Sequence, residues 1–198
     1  MDDPRIEANE RLTATTATVL LALLAVEGFT ILSIGQLLTL HIIVELLLIP
    51  PVALKLASTG YRFLRYYTGD AGFVAKGPPH VVMRLLAPLL VVSTVVLFGT
   101  GVTLLMLGPH RHRDLILGLH KASFIVWLVV TGLHVLLYAA RLPRAVLARQ
   151  AWSRIGLVAA SLVAGAVLAG GAYSFAAPWL HHRGGDDRHE GLTASAFA

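Results

Sequence analysis

The composition of this 198-residue chain excludes a soluble globular domain. Hydrophobic residues make up 56% of it, charged residues only 14%, and the mean hydropathy is +0.73, values that are typical of proteins embedded in lipid. The absence of cysteine excludes disulfides, thiolate metal sites and cysteine-held iron–sulfur clusters. We attribute the net charge of +5 to membrane topology and to attraction for anionic membrane lipid, and expect no binding of nucleic acid.

Apolar stretches predict five transmembrane helices. Two of them, 85–109 and 155–180, contain no charged residue or histidine and exceed the ~20 residues that the hydrocarbon core requires. The other three, at about 12–34, 37–57 and 115–140, are interrupted by a few charged residues and histidines. The expected fold class is an all-α integral membrane protein. Its first four helices form an up-down bundle, and the fifth packs against that bundle or a partner subunit through its small residues.

Basic residues predict the orientation of the chain. The segments between the second and third spans and between the fourth and fifth spans are rich in Lys and Arg, and with Lys55, Arg5 and Arg11 they account for 11 of the 16 basic residues. The positive-inside rule places both segments in the cytoplasm. We expect a multi-pass protein of the bacterial plasma (inner) membrane, with the N-terminus cytoplasmic, the C-terminus outside and no removable signal peptide. Its predicted parts are a cytoplasmic N-terminal segment (1–11), a four-helix membrane bundle (12–140), a basic cytoplasmic loop (141–154), a fifth span (155–180) and a flexible outer tail (181–198).

A pair of histidines in the fourth predicted span is the most informative pattern. His120 and His134 are 14 residues apart, close to four turns of helix, so they share one face at roughly 21 Å along the axis. His41, at the outer end of the second span, falls at the depth of His120. Facing imidazoles at matched depth can ligate haem iron, with small residues such as Gly118 and Gly132 nearby. The alternative is that each histidine only hydrogen-bonds a neighbouring helix.

At these positions the chain resembles the four-helix b-type membrane cytochromes, over about residues 12–140. That family includes bacterial cytochrome b561 and the cytochrome subunits of formate dehydrogenases and nickel–iron hydrogenases. Its fourth helix carries two histidine ligands at the spacing of His120 and His134, and its second helix carries one that matches His41. The resemblance implies haem b, electron exchange with quinone and docking of an outer-side oxidoreductase subunit. We therefore expect an electron-transfer subunit more than a free-standing enzyme.

Two departures from the family's pattern bear on the number of haems. The first span has no histidine, so a second haem on His134 requires His80, at the inner end of the third span, as its other ligand. One haem, between His41 and His120, needs no such rearrangement and is the expected number. Glu45 stands one turn from His41, where the family often has a glycine that lets the porphyrin pack against the helix.

Two acidic residues inside the predicted spans are further candidates. Glu45 and Glu27 are interpreted as a proton or quinone site, or as protonated side chains that only hydrogen-bond within the bundle. The rival function is a haem-free membrane subunit or a small proton-coupled transporter with a polar His/Glu core. Motifs of soluble catalytic centres, such as His-Glu-x-x-His or a nucleophile elbow, do not occur, and no catalytic residue is predicted.

Overall fold

The computed structural model describes residues 3–77, 81–108, 113–139, 155–172 and 175. These ranges contain helices and no strand, which confirms the all-α class. The helices are α1 (Pro4–Leu32), α2 (Ile34–Tyr67), the short α3 (Ala71–Ala75), α4 (Val81–Leu107), α5 (Arg113–Ala139) and α6 (Ile155–Gly171).

Four of these helices, α1, α2, α4 and α5, are long and apolar enough to cross a membrane. In the most apolar 18-residue stretch of each helix, only 6–22% is buried within the chain. A soluble protein rarely exposes apolar faces of that extent to water. Lipid chains are the natural partners of such faces. The chain therefore has the character of a multi-pass membrane protein.

The fifth predicted span is only partly described. Its described helix, α6, has 17 residues, fewer than the ~20 that cross the hydrocarbon core. Residues 173–174 and 176–180 of the predicted span lie outside the described residues. The fifth crossing therefore remains a prediction.

An antiparallel hairpin is formed by α1 and α2, with Ser33 as the single residue between them. The backbone N–H groups of Gln36 and Leu37 both donate to the Ser33 carbonyl, and Leu37 has non-helical dihedrals (φ −108°, ψ 19°) that turn the chain. Far from this turn, the Lys55 Nζ donates to the carbonyl of Thr13 at 2.8 Å. Residues that are similarly distant from Ser33 along the two helices therefore lie opposite each other.

The first helix begins before the predicted span. Asp3 caps α1, because its carboxylate accepts from the backbone N–H of Arg5 at 2.9 Å, and Pro4 occupies the first helical position. The Arg5 side chain also bonds this carboxylate and lowers the pKa of Asp3 below its usual value. The polar segment ahead of Leu12 is thus a continuation of the helix.

The second helix runs further than the sequence predicts. Its composition marks residues 59–70 as an interfacial loop that mixes aromatic and basic side chains, but helix continues to Tyr67. The loop prediction was wrong for residues 59–67 because Gly60 is accommodated within the helix, and the first terminating conformation comes at Gly69, with φ +80°. The 34 residues of α2 span roughly 51 Å, compared with about 30 Å of hydrocarbon. Its last turns therefore suit the membrane interface.

A second antiparallel hairpin is formed by α4 and α5. The Trp127 Nε1–H donates to the Thr94 hydroxyl at 3.0 Å across this pair. The two hairpins meet where Phe98 of α4 packs against the buried cluster of Leu20, Val44 and Leu48, and where Leu105 of α4 packs against Leu46 of α2. Close packing joins α1 to α2, α2 to α6 and α4 to α5, whereas α2 and α4 touch over a shorter stretch. The compact four-helix bundle stays a prediction.

The bond between Trp127 and Thr94 gives a first testable consequence. Replacement Thr94→Val should lower the free energy of unfolding by about 0.5–1.5 kcal/mol, the range for hydrogen bonds between membrane helices. Thr103→Val is the matched control, because the Thr103 hydroxyl is exposed and bonds only the Gly99 carbonyl of its own helix. Denaturant unfolding in detergent checks both variants. Equal stability of the two would contradict the interhelical role of Thr94.

Candidate functional site

A cavity of about 590 Å³ lies between the two hairpins. This volume falls within the range of pockets that hold small ligands and cofactors. The walls come from α1, α2, α4 and α5 and are mostly apolar, and the polar or charged side chains among them are Glu27, His41, Glu45, His120, Lys121, Trp127 and Thr131. The structure therefore brings His41 and His120, on separate hairpins, to one cavity.

His41 is held by two residues of α1. Its Nδ1 lies 2.5 Å from Oε1 of Glu27 and 3.3 Å from the hydroxyl of Thr30. The Thr30 hydroxyl donates to the Glu27 carbonyl at 2.7 Å. A carboxylate accepts hydrogen bonds, so the proton of the neutral imidazole is assigned to Nδ1 and the lone pair to Nε2.

His120 has the same arrangement with a neutral partner. Its Nδ1 lies 3.1 Å from the hydroxyl of Thr100 on α4. That hydroxyl has a single proton, which it gives to its own helix at the carbonyls of Val96 (2.8 Å) and Leu97 (2.9 Å). Thr100 therefore accepts from the Nδ1–H of His120, and Nε2 again carries the lone pair.

These features fit a haem between the two imidazoles. Metal-bound histidines typically donate their other ring N–H to a carboxylate, carbonyl or similar acceptor, which fixes the tautomer and the ring orientation. Gly28 and Gly132 line the cavity, and a Cβ on either would meet nothing within 4 Å, so both helices leave open space. Among the described residues no group of three or more His, Cys, Asp or Glu could hold a metal ion. A haem needs only two protein ligands, because the porphyrin supplies the rest.

Glu45 lines the same cavity and packs against α4. A Cβ on the buried Gly101 would collide with its carboxylate, so a glycine on the neighbouring helix makes room for the acid. Glu45 Oε1 is buried and has no hydrogen-bond partner among the residues that the structure describes. The hydroxyl of Thr131, also on the cavity wall, is likewise buried without a hydrogen-bond partner among the described residues. The cavity thus contains polar atoms able to bond a ligand.

The remaining predicted residues are not gathered at this cavity. His134 is partly buried but does not line it, and interacts electrostatically with Lys55 of α2. Gly118 is exposed and does not line it either, unlike Gly132. His80 lies outside the described residues. The described geometry therefore assembles one candidate pair of ligands, His41 and His120.

Sequence reasoning did not single out four residues of this site: Thr30, Thr100, Gly101 and Thr131. The register of the second hairpin could have indicated Thr100, because His120 and Thr100 lie at equal distances from residue 110 between α4 and α5. Thr30 is three residues and His41 eight residues from Ser33, so counting from the first turn does not pair them. Gly101 and Thr131 offered no comparable signal, because their roles depend on how the two hairpins meet.

Comparison of the chain with models of protein families, with curated proteins and with solved structures gave no match.

Proposed function

We propose that this protein is a b-type haem electron carrier of the membrane, with His41 and His120 as the axial ligands of one haem. The observation that carries the proposal is their shared cavity, in which each Nδ1 is held by an acceptor and each Nε2 keeps its lone pair. A structural role as simple interhelical hydrogen-bonding groups does not require both rings to line one cavity.

Each residue of the cavity has a defined part in this function. Haem, when bound, supplies an iron that accepts and releases one electron reversibly. Glu27 and Thr30 orient His41, and Thr100 orients His120. The mostly apolar walls make the surroundings of a bound group less polar than water. Lys121, exposed beside His120, offers a positive charge to a carboxylate of the bound group.

We extend the proposal to the partners and place of the carrier. The resemblance of residues 12–140 to membrane cytochromes favours electron exchange between the quinone pool and an outer-side oxidoreductase subunit. The distribution of Lys and Arg favours a cytoplasmic N-terminus and, with a fifth crossing by residues 155–180, an outer C-terminus. The bacterial plasma membrane is the setting that matches both.

The test is a dithionite-reduced minus oxidised absorption spectrum of the detergent-purified chain, expressed with haem supplied. Pyridine haemochrome quantification gives the haem type and the number per chain. We expect a b-type spectrum and one haem. A colourless protein would overturn the proposal, and two haems would contradict the single site and require an inner partner for His134.

A second function, a proton-coupled path, is favoured by one observation. Glu45 Oε1 is buried without a hydrogen-bond partner in the described part of the chain, one turn from the His41–Glu27 pair. Intramembrane acids of this kind serve proton relays. This candidate predicts a colourless protein whose proton flux in liposomes is lost in Glu45→Gln. A haem-loaded protein without flux excludes it.

A further inference from the structure

The two proposed ligands differ in the charge of the group that holds them. His41 Nδ1 faces a carboxylate, that of Glu27, at 2.5 Å, whereas His120 Nδ1 faces the neutral hydroxyl of Thr100 at 3.1 Å. The shorter, charge-assisted bond is the stronger of the two. Glu27 therefore polarises its imidazole more than Thr100 does.

Burial increases the effect of the Glu27 charge. Its residue surface is only 8% exposed, and in such an environment a charge is less screened than in water. The Thr30 hydroxyl, whose proton goes to the Glu27 backbone carbonyl, also lies 3.3 Å from Glu27 Oε2. The only cationic side chain on the described cavity wall, Lys121, is exposed to solvent and belongs to the other hairpin.

We propose that Glu27 is a positioning residue that makes His41 the stronger electron donor to the haem iron and lowers the midpoint potential of the site. This inference rests on the proposed haem function. A carboxylate that accepts the Nδ1–H increases the basicity of the ligand. Ferric iron carries one more positive charge than ferrous iron, so the buried negative charge stabilises the ferric state more.

The first test compares midpoint potentials in Glu27→Gln and wild type by spectroelectrochemical titration. Glutamine keeps the size and removes the charge, so we expect haem to remain bound with a midpoint potential shifted to a more positive value. Thr100→Val is the matched control, because it removes the group that holds the other ligand, His120. The shift of its midpoint potential should be smaller. A Glu27→Gln potential equal to that of wild type, or a larger shift in Thr100→Val, would overturn the inference.

A second test keeps Glu27 and replaces the ligand. In His41→Gly, added imidazole should restore the low-spin spectrum, since it can both coordinate iron and donate its N–H to Glu27. Added 1-methylimidazole coordinates but has no N–H, so its complex should have a more positive midpoint potential. Equal potentials for the two complexes would refute the role of Glu27 even if Glu27→Gln does not fold.

The inference and the proposed function fail in different ways. A wild-type chain without haem removes the electron-carrier function itself. Haem-loaded wild type and Glu27→Gln with equal potentials remove only the role of Glu27 and leave His41 and His120 as ligands.

Discussion

Replacement of either His41 or His120 by alanine should remove the b-type absorption spectrum, whereas His134→Ala should retain it. Changes in the groups that merely orient a metal ligand lower metal affinity about 10–100-fold, so loss of the ligand itself should lower haem affinity by at least that much and leave the purified variant with less haem per chain than wild type. His134 is the matched control, because it shares α5 and its residue type with His120 but does not line the cavity. Pyridine haemochrome quantification on purified protein checks the series.

A parallel measurement separates loss of haem from loss of fold. Each variant should keep the helical circular dichroism and the size-exclusion profile of wild type, because the two hairpins are joined by other contacts, such as those of Phe98 and Leu105. Full haem content in His120→Ala would show that this histidine is not a ligand. Loss of haem in His134→Ala alone would move the site along α5 from His120 to His134.

Hydropathy was enough to predict four of the helices and the class of protein. Apolar runs longer than the hydrocarbon thickness leave few alternatives to a membrane helix, and four such helices are present among the described residues. Helix ends were predicted less well. The loop expected at 59–70 is helical as far as Tyr67, and the cap at Asp3 extended α1 before its apolar part.

The candidate ligands could be predicted more readily than the groups around them. Equal depth of His41 and His120 follows from counting residues along the spans, but contact with Glu27 or Thr100 depends on hairpin register and side-chain direction. Glu45 illustrates the limit. In the sequence it is a bulky departure from the glycine that lets a porphyrin pack against the second helix in the family, and nothing there indicates that Gly101 of α4 lies against its carboxylate.

Gly165→Ala should destabilise the protein, although alanine is the better helix former. Gly165 is buried where α6 crosses α2, and a Cβ there would lie 2.5 Å from the carbonyl oxygen and 3.0 Å from the Cα of Leu47. Both are backbone atoms, which cannot yield as a flexible side chain can. Overpacking of this kind lowers the free energy of unfolding by about 1–3 kcal/mol. The higher helix propensity of alanine raises it by only roughly 1 kcal/mol.

The matched control is Gly156→Ala on the same helix. Gly156 is exposed and a Cβ there meets nothing within 4 Å, so this change should leave stability unchanged or raise it by up to about 1 kcal/mol. Denaturant unfolding in detergent should therefore give opposite signs for the two substitutions. Equal effects would show that α6 does not pack closely on α2 at Leu47.

Haem content of the folded Gly165→Ala protein separates packing from binding. Leu47 does not line the cavity, and it lies two residues, or about 200° of helical rotation, from Glu45, so at this contact α6 packs on the side of α2 away from Glu45. Haem per folded chain should change little while the free energy of unfolding falls. A parallel loss of haem would instead indicate that the contact with α6 sets the position of α2, and with it the position of His41, at the cavity.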